Sequence, residues 1–515
     1  MIKSIKIEMI ILGLCLLIGF ALRLYTLERK SLWLDEIYTF QDSRDGFKGQ
    51  LEFYKENPTF LQAPLFFVLT HQFYPFTNPE RDLRIFPLIF GTLSILMIYL
   101  LAKQFSPSLA YPCAICLTFM TYHISLSQDG RSYSMLMFIG MAGTYFFMKY
   151  LQCSKHIYLF LTSLSYSTLF YTSYSSIPYI FFSQILWFYR VGPESNKATF
   201  RSFFLMNSLI LLLCLPWMIF LGLNYKGQPV MGPFHTEDPG SLWSIIYWIL
   251  NDWTSNILVM SNSFVLLILF LCFNKDKRNT FLLFSLIFLP ITSLYLFCNI
   301  MNITHYFTSR YFVNLLPFFL IVIFFSLRVI ENRFQRLKKY LNLTLLFTLL
   351  FVGSNLVILP LYYKSQKQDF KSLVHFLKTQ LRPGDKIFDG DRIYTPGILF
   401  YFGIDPVSRH YTASIFKQGG KVVGLKRPFY YNNNEYIIYY SNTCCEQYIV
   451  DGSRLWIVVG KSGRLEVEKN LSCKRMGYFD GSFLNYNKFP ADASMYLFLC
   501  DSSPSNQSRK DILFD

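Results

Sequence analysis

Eleven stretches of this chain are apolar enough, and most are long enough, to be read as helices crossing a lipid bilayer. No other feature limits the fold as strongly. They are residues 7–24, 85–101, 109–126, 134–148, 157–173, 177–188, 203–223, 257–273, 281–300, 312–327 and 341–362. A spanning helix needs about 20 mostly apolar residues. Lipid offers no hydrogen bonds to the backbone, so an α-helix, which satisfies its own, is the expected form. Composition agrees: 52% of the 515 residues are hydrophobic and only 16% charged, with 54 Phe and 36 Tyr, more apolar surface than a soluble domain can bury. The first run follows Lys3 and Lys6, as the core of a signal peptide would. It is too long for one, however, and Arg23-Leu24-Tyr25 offers no small-residue cleavage site, so it reads as a retained first helix.

The formal net charge of +16 would suit nucleic acid if it were clustered, but it is spread among alternate loops. With the N-terminus inside, the inner loops hold Lys103, then Lys149 and Lys155, then Arg190, Lys197 and Arg201. Lys275, Lys277 and Arg278 follow, and finally Arg328, Arg333, Arg336, Lys338 and Lys339. The short outer loops hold only Arg131, Lys226 and Arg310. This asymmetry satisfies the positive-inside rule. It accounts for much of the charge as topology and excludes nucleic acid as a partner.

Two larger regions are expected outside. Residues 25–84 form a polar and aromatic first loop, whose segment Pro64 to His71 is too short to span and suits a helix lying in the interface. Residues 364–515 form a second, soluble domain, leaving 1–363 as the membrane module. Within the tail, Asp369 to Leu381 has helical spacing and stops at Arg382-Pro383-Gly384-Asp385, a turn signal. Strand-like runs follow at Tyr436–Tyr440 and Leu455–Val459, which suits a small α/β or mainly β domain. Cys15, Cys113, Cys116, Cys153, Cys214, Cys272 and Cys298 lie in or beside apolar spans, where a thiol behaves as a small hydrophobe. Cys444, Cys445, Cys473 and Cys500 would all be exterior, where disulfides persist; three pairings are open to them.

Just past the first span comes Ser31-Leu-Trp-Leu-Asp-Glu36. Acidic residues are costly near hydrocarbon, so a carboxylate pair at the lipid boundary points to function. Asp35 and Glu36 could instead cap a helix or pair with Arg29 and Lys30. Arg131 could pair with Asp129, and Arg310 could anchor a helix end by reaching for the interface.

Several segments in order resemble the GT-C glycosyltransferases, in the bacterial branch related to protein O-mannosyltransferases and the lipid A aminoarabinose transferases. They are Arg23-Leu24 with Ser31 to Glu36, Gln62 to His71, Arg81 to Gly91, Ser127-Gln-Asp-Gly-Arg-Ser-Tyr133, and Ser309-Arg-Tyr-Phe-Val-Asn-Leu-Leu-Pro317. The resemblance covers roughly the first 320 residues and implies an all-α polytopic membrane fold of about eleven helices. It also implies transfer of a sugar from a polyprenyl-phosphate donor to a lipid, glycan or protein acceptor on the outer face, with inversion at the anomeric carbon. Physical chemistry asks for the same parts. An acceptor hydroxyl needs a base, a contribution of about 10²–10⁴-fold, and Asp35, with Glu36 beside it, supplies the carboxylate. The leaving phosphate needs cations, and arginine's planar fork at Arg131 and Arg310 suits it. Gln62, His71, Tyr133, His305, Tyr306 and Tyr311 complete the candidate substrate contacts. No cofactor is demanded, although Asp35 and Glu36 could hold a divalent cation beside the donor phosphate.

Two positions depart from the family pattern. Gln62-Ala63-Pro64 stands where relatives have His-Pro-Pro or Lys-Pro-Pro, and Ser173 stands where they often have His. Both remove a titratable group from the donor side. The rival classes are a lipid-linked glycan polymerase and a flippase or transporter. Transport chemistry places ionisable residues within spans, whereas the apolar runs here are nearly free of them.

Overall fold

The computed structural model describes residues 2–56, 62–190, 200–225, 241–300, 308–334, 342–391, 394–404, 429–432, 435–440, 443–444, 454–470, 473–481, 493–500 and 512–513. The described residues of the eleven apolar runs lie mostly on helix. Five described helices are individually long and apolar enough to cross a membrane, and two bent pairs qualify when taken together. The most enclosed is Ser309–Arg333, whose apolar window is 83% buried. Around it pack, among others, Ile85–Phe105, Tyr133–Cys153, Ile257–Phe273 and Leu343–Lys364.

Two runs depart from the expected single helices, and one further helix appears. The run 177–188 divides into Ile177–Ser183 and Leu186–Arg190. A helix absent from the sequence reading, Leu242–Thr254, meets Ile257–Phe273 at 116°. The run 109–126 breaks at Met120 into Ala110–Phe119 and Thr121–Ser127; with its preceding turn the first part makes a 63° bend. No proline or glycine marks this break; distant polar groups satisfy it. Asn355, fully buried, accepts the Thr121 N–H at 2.8 Å, as a helix cap does. Arg23, also fully buried, donates to the carbonyls of Leu117 at 3.0 Å and Thr118 at 3.3 Å, which the break leaves without helical partners. His123 Nδ1 accepts from the same guanidinium at 2.7 Å. The short second piece lies so close to Ile85–Phe105 that a Cβ on Gly91 would sit 2.0 Å from Ser127 Oγ.

The tail folds as an α/β layer. The helix Phe370–Gln380 is capped by Asp369, which accepts the Ser372 N–H at 3.1 Å. The chain then turns at Gly384, where φ is +88°, a conformation glycine adopts without steric cost. Strands follow at β1 (Asp385–Asp389), β2 (Phe429–Asn432), β3 (Tyr436–Tyr440), β4 (Thr443–Cys444), β5 (Leu455–Val459), β6 (Lys474–Phe479), β7 (Met495–Cys500) and β8 (Ile512–Leu513). Six make one sheet in the order β2-β3-β1-β5-β7-β6, while β4 pairs with β8. The central β1 runs parallel to both β3 and β5, and the outer pairings are antiparallel. Of the two architectures expected for the tail, the structure is therefore α/β. Cys473 and Cys500 form a disulfide where β6 meets β7, which selects one pairing among the four tail cysteines. Cys445 lies outside the described residues, and the seven span cysteines are free.

The α/β layer does not hang loose. Leu32, Ile37 and Leu83, from the segment between the first two long helices, share one buried cluster with Phe370, Leu373, Leu377, Ile398 and Trp456. Burial of such side chains contributes about 25 cal/mol per Å², so the tail and the segment carrying Asp35 stabilise each other.

Candidate active site

The pair Asp35–Glu36 occupies the first turn of the helix Leu34–Asp42. Acids there are favoured by the helix dipole, yet the two side chains leave the helix in different directions. Glu36 is 1% exposed and gripped by Arg84, whose Nε and one terminal nitrogen each donate to a carboxylate oxygen at 2.7 Å. The Gly130 N–H donates to the same carboxylate at 2.6 Å, and the Trp33 N–H does so at 3.3 Å. Arg84 continues to the carbonyls of Leu27, Lys30 and Ser31. Glu36 thus ties the start of the second long helix to the loop that leads into its own. The sequence reading of Glu36 as half of a catalytic pair needs correction. No oxygen of its carboxylate is left for a substrate or for a divalent cation shared with Asp35. Among the described residues no group of three or more His, Cys, Asp and Glu gathers as a metal cage would.

Asp35 keeps an open carboxylate, with its side chain 27% exposed. Arg310 stands 3.7 Å from it, a Coulombic contact longer than a hydrogen bond. Arg131 reaches the backbone carbonyl of Asp35 at 3.4 Å and the Thr39 hydroxyl at 3.2 Å. The three residues singled out from sequence, from three separate elements, therefore converge. Aromatic faces line the Arg310 guanidinium: Trp33 at 5.1 Å, Tyr133 at 5.6 Å and Tyr311 at 5.8 Å. Cation–π attraction at such distances fixes a guanidinium without using up its N–H donors.

Arg131 does not pair with Asp129, the bland alternative for it. Asp129 is instead held by Lys367 at 2.6 Å and by the Trp33 indole N–H at 2.9 Å. Burial alone would push the Asp129 carboxyl up, but Lys367 and these hydrogen bonds hold it below the usual carboxylate range. Lys367 also lies 4.4 Å from the Trp33 ring centre, so the tail contributes a cation to the site. Sequence reasoning missed Lys367 and Arg84, because their partners lie 238 and 48 residues away along the chain.

Other candidates fall elsewhere. His71 bonds the Ser43 carbonyl at 2.8 Å and stacks on Tyr74, which is a structural role. Gln62 begins the turn before the short helix Leu65–Thr70. His305 and Tyr306 lie outside the described residues.

The helical bundle thus carries an open carboxylate and facing arginines at one end, beside the α/β layer. The family model described as dolichyl-phosphate-mannose-protein mannosyltransferase matches residues 62–227. The apo structure of ArnT from Cupriavidus metallidurans is similar over 98% of this chain and 100% of its own, with 11% identity and a TM-score of 0.52. ArnT from the same organism bound to undecaprenyl phosphate has a TM-score of 0.48, with 11% identity over 98% of this chain and 99% of its own. The Archaeoglobus fulgidus oligosaccharyltransferase in complex with Zn and sulfate is 12% identical over 72% of this chain and 55% of its own, at a TM-score of 0.40. No curated protein sequence matches the chain. The family model matches about a third of the chain, and the likeness to apo ArnT, at 11% identity, is one of fold: a multi-pass helical bundle with an α/β layer.

Proposed function

We propose that this chain transfers a sugar from a polyprenyl-phosphate donor to an acceptor hydroxyl or phosphate at the outer face of the membrane, with Asp35 as general base. The observation that carries the reading is the placement of Asp35. It is the one acid of the pair left open, and it faces Arg310 and Arg131 rather than a closed ion pair.

In this reading the donor phosphate is met by Arg310 and Arg131, whose N–H groups are charge-assisted donors to phosphate oxygens. The acceptor O–H is directed at Asp35, which takes its proton as the oxygen attacks the anomeric carbon. The bond from that carbon to the phosphate oxygen breaks, and its electron pair stays with the departing polyprenyl phosphate, where the guanidinium groups stabilise the developing charge. Attack opposite the leaving group inverts the anomeric centre. Glu36 positions this chemistry by fixing the loops around Asp35. The alternating loop cations support an inside N-terminus and a tail on the outer side, and a multi-pass position in a bacterial inner membrane fits both.

The test incubates purified full-length protein with a panel of polyprenyl-phosphate sugars and follows sugar release or transfer. Native protein should turn over at least one donor. Asp35→Asn should lower that rate by about 10² or more while eluting as a folded species. An Asn variant with native turnover overturns the assignment.

A further inference from the structure

A second carboxylate lies deeper than Asp35, in a place the apolar runs did not announce. Asp252 sits on Leu242–Thr254, has no exposed surface, and is surrounded on its helix by buried Ile249, Leu250 and Trp253. Its Oδ2 accepts from the Ser309 hydroxyl at 2.6 Å. Ser309 in turn accepts from the Tyr122 hydroxyl at 2.8 Å. Both relay hydroxyls belong to buried residues. The donors run in one direction, Tyr122 to Ser309 to Asp252, and end on the acid. Asp252 Oδ1 meets no hydrogen-bond partner among the described residues.

Burying an ionised carboxylate is costly, and Asp252 meets its hydrogen-bond partner in Ser309, the residue just before Arg310. The relay does not serve as a helix cap: Leu242–Thr254 is capped at its start by Ser241, and its last turn ends at Ser255. What it fixes is Ser309, and with it the backbone from which Arg310 extends toward Asp35. It does so from two directions, since Tyr122 lies on the short helix after the Met120 break and Asp252 on the sharply bent helix pair.

We propose that Asp252 is a positioning residue for Arg310, acting through Ser309 and Tyr122 to hold the guanidinium where it meets the donor phosphate. The inference rests on the assignment of Arg310 to that phosphate.

The test is a double-mutant cycle on the full-length, detergent-purified protein with undecaprenyl phosphate as the probe ligand. Arg310→Gln should weaken binding. Asp252→Ala, which removes the acceptor, should weaken it about tenfold, and the double variant should bind no worse than Arg310→Gln alone, because the two residues act as a unit. Ser309→Ala should reproduce Asp252→Ala, and Ser309→Thr, which keeps the hydroxyl, should restore binding. If Asp252→Ala does not fold, Ser309→Ala carries the same cycle. Additive losses, or native affinity in Asp252→Ala or Ser309→Ala, overturn the relay while leaving Arg310 in its role. Native affinity in Arg310→Gln overturns the phosphate assignment and the relay with it.

Discussion

Asp35 and Glu36 are chemically near-identical neighbours in opposite surroundings, one open and one enclosed. Removing the charge of Glu36 leaves Arg84, fully enclosed, without its counter-ion. Glu36→Gln should therefore destabilise the protein by about 3–5 kcal/mol, seen as a fall in the thermal midpoint of detergent-solubilised protein. Asp35→Asn should leave that midpoint in place and lower turnover alone. A matching loss of stability in both variants contradicts the division. At the cations, Arg131→Gln or Arg310→Gln removes charge-assisted contacts of roughly 1.5–3 kcal/mol. Donor use should fall about ten- to a hundred-fold, and lysine should rescue only in part because it lacks the planar fork. Sequence picked out Arg131 and Arg310 as cations in short outer loops nearly without charge, and Asp35 as the favoured base of an acidic pair at the lipid boundary. The enclosure of Glu36 was not legible, since it is made by Arg84 and Gly130, each contributed by a different turn of the fold. Asp252 escaped because the helix bearing it went unread, although Ser241 followed by Leu-Trp-Ser-Ile-Ile-Tyr-Trp-Ile-Leu is a helix start with an apolar face.

The elements were mostly legible, since apolar runs of spanning length admit little besides helix. Strands β3 and β5 fall on the residues expected of them, Tyr436–Tyr440 and Leu455–Val459. The break at Met120 was not legible, because what permits it is Arg23 and Asn355, far away in sequence. The crossing beside it gives a test. A methyl group on Gly91 would collide with Ser127, whose hydroxyl is already committed to the His123 carbonyl at 2.7 Å. Gly91→Ala should cost about 1–3 kcal/mol, the usual range for overpacking. Ser127→Gly in the same chain should recover most of it, as read by thermal unfolding. In the α/β layer, burial alone would push the Asp385 carboxyl up, but hydrogen bonds from Arg454 and Trp456 outweigh burial and hold it below the usual range. A carboxyl lowered by folding stabilises above its unfolded value, near 3.9, and loses that contribution as pH falls through its folded value. Stability should thus decline below about pH 4. Asp385→Asn should flatten that decline and cost about 1–3 kcal/mol at neutral pH.

For the whole molecule the positive loops expect every site residue and the tail on one side. Alkaline phosphatase fused after Asp385 should be active in cells, and an inactive fusion would place the tail with the inner loops. The Cys473–Cys500 disulfide sharpens this, because such bonds persist in oxidising compartments. Thiol-reactive mass tags added to denatured, unreduced protein should spare these two cysteines. The coupling of tail to membrane module is the part that no local pattern could reveal, since it runs through Lys367 on Asp129 and through Leu32 and Ile37 in the tail's own core.

Arg23 also sets a timetable for how the molecule is made. An arginine at the centre of a spanning helix costs about 2.5–3.5 kcal/mol on insertion scales, an upper bound for Arg23 in the last turn of its helix, and the carbonyls that accept it lie 94 and 95 residues further on. At roughly 5–20 residues per second, the ribosome supplies those partners only after about 5–20 seconds. During that interval the guanidinium must reach up to the lipid head groups. Arg23 finds these partners only when the broken helix arrives, so the membrane assembly of this protein closes from its third apolar segment back onto its first.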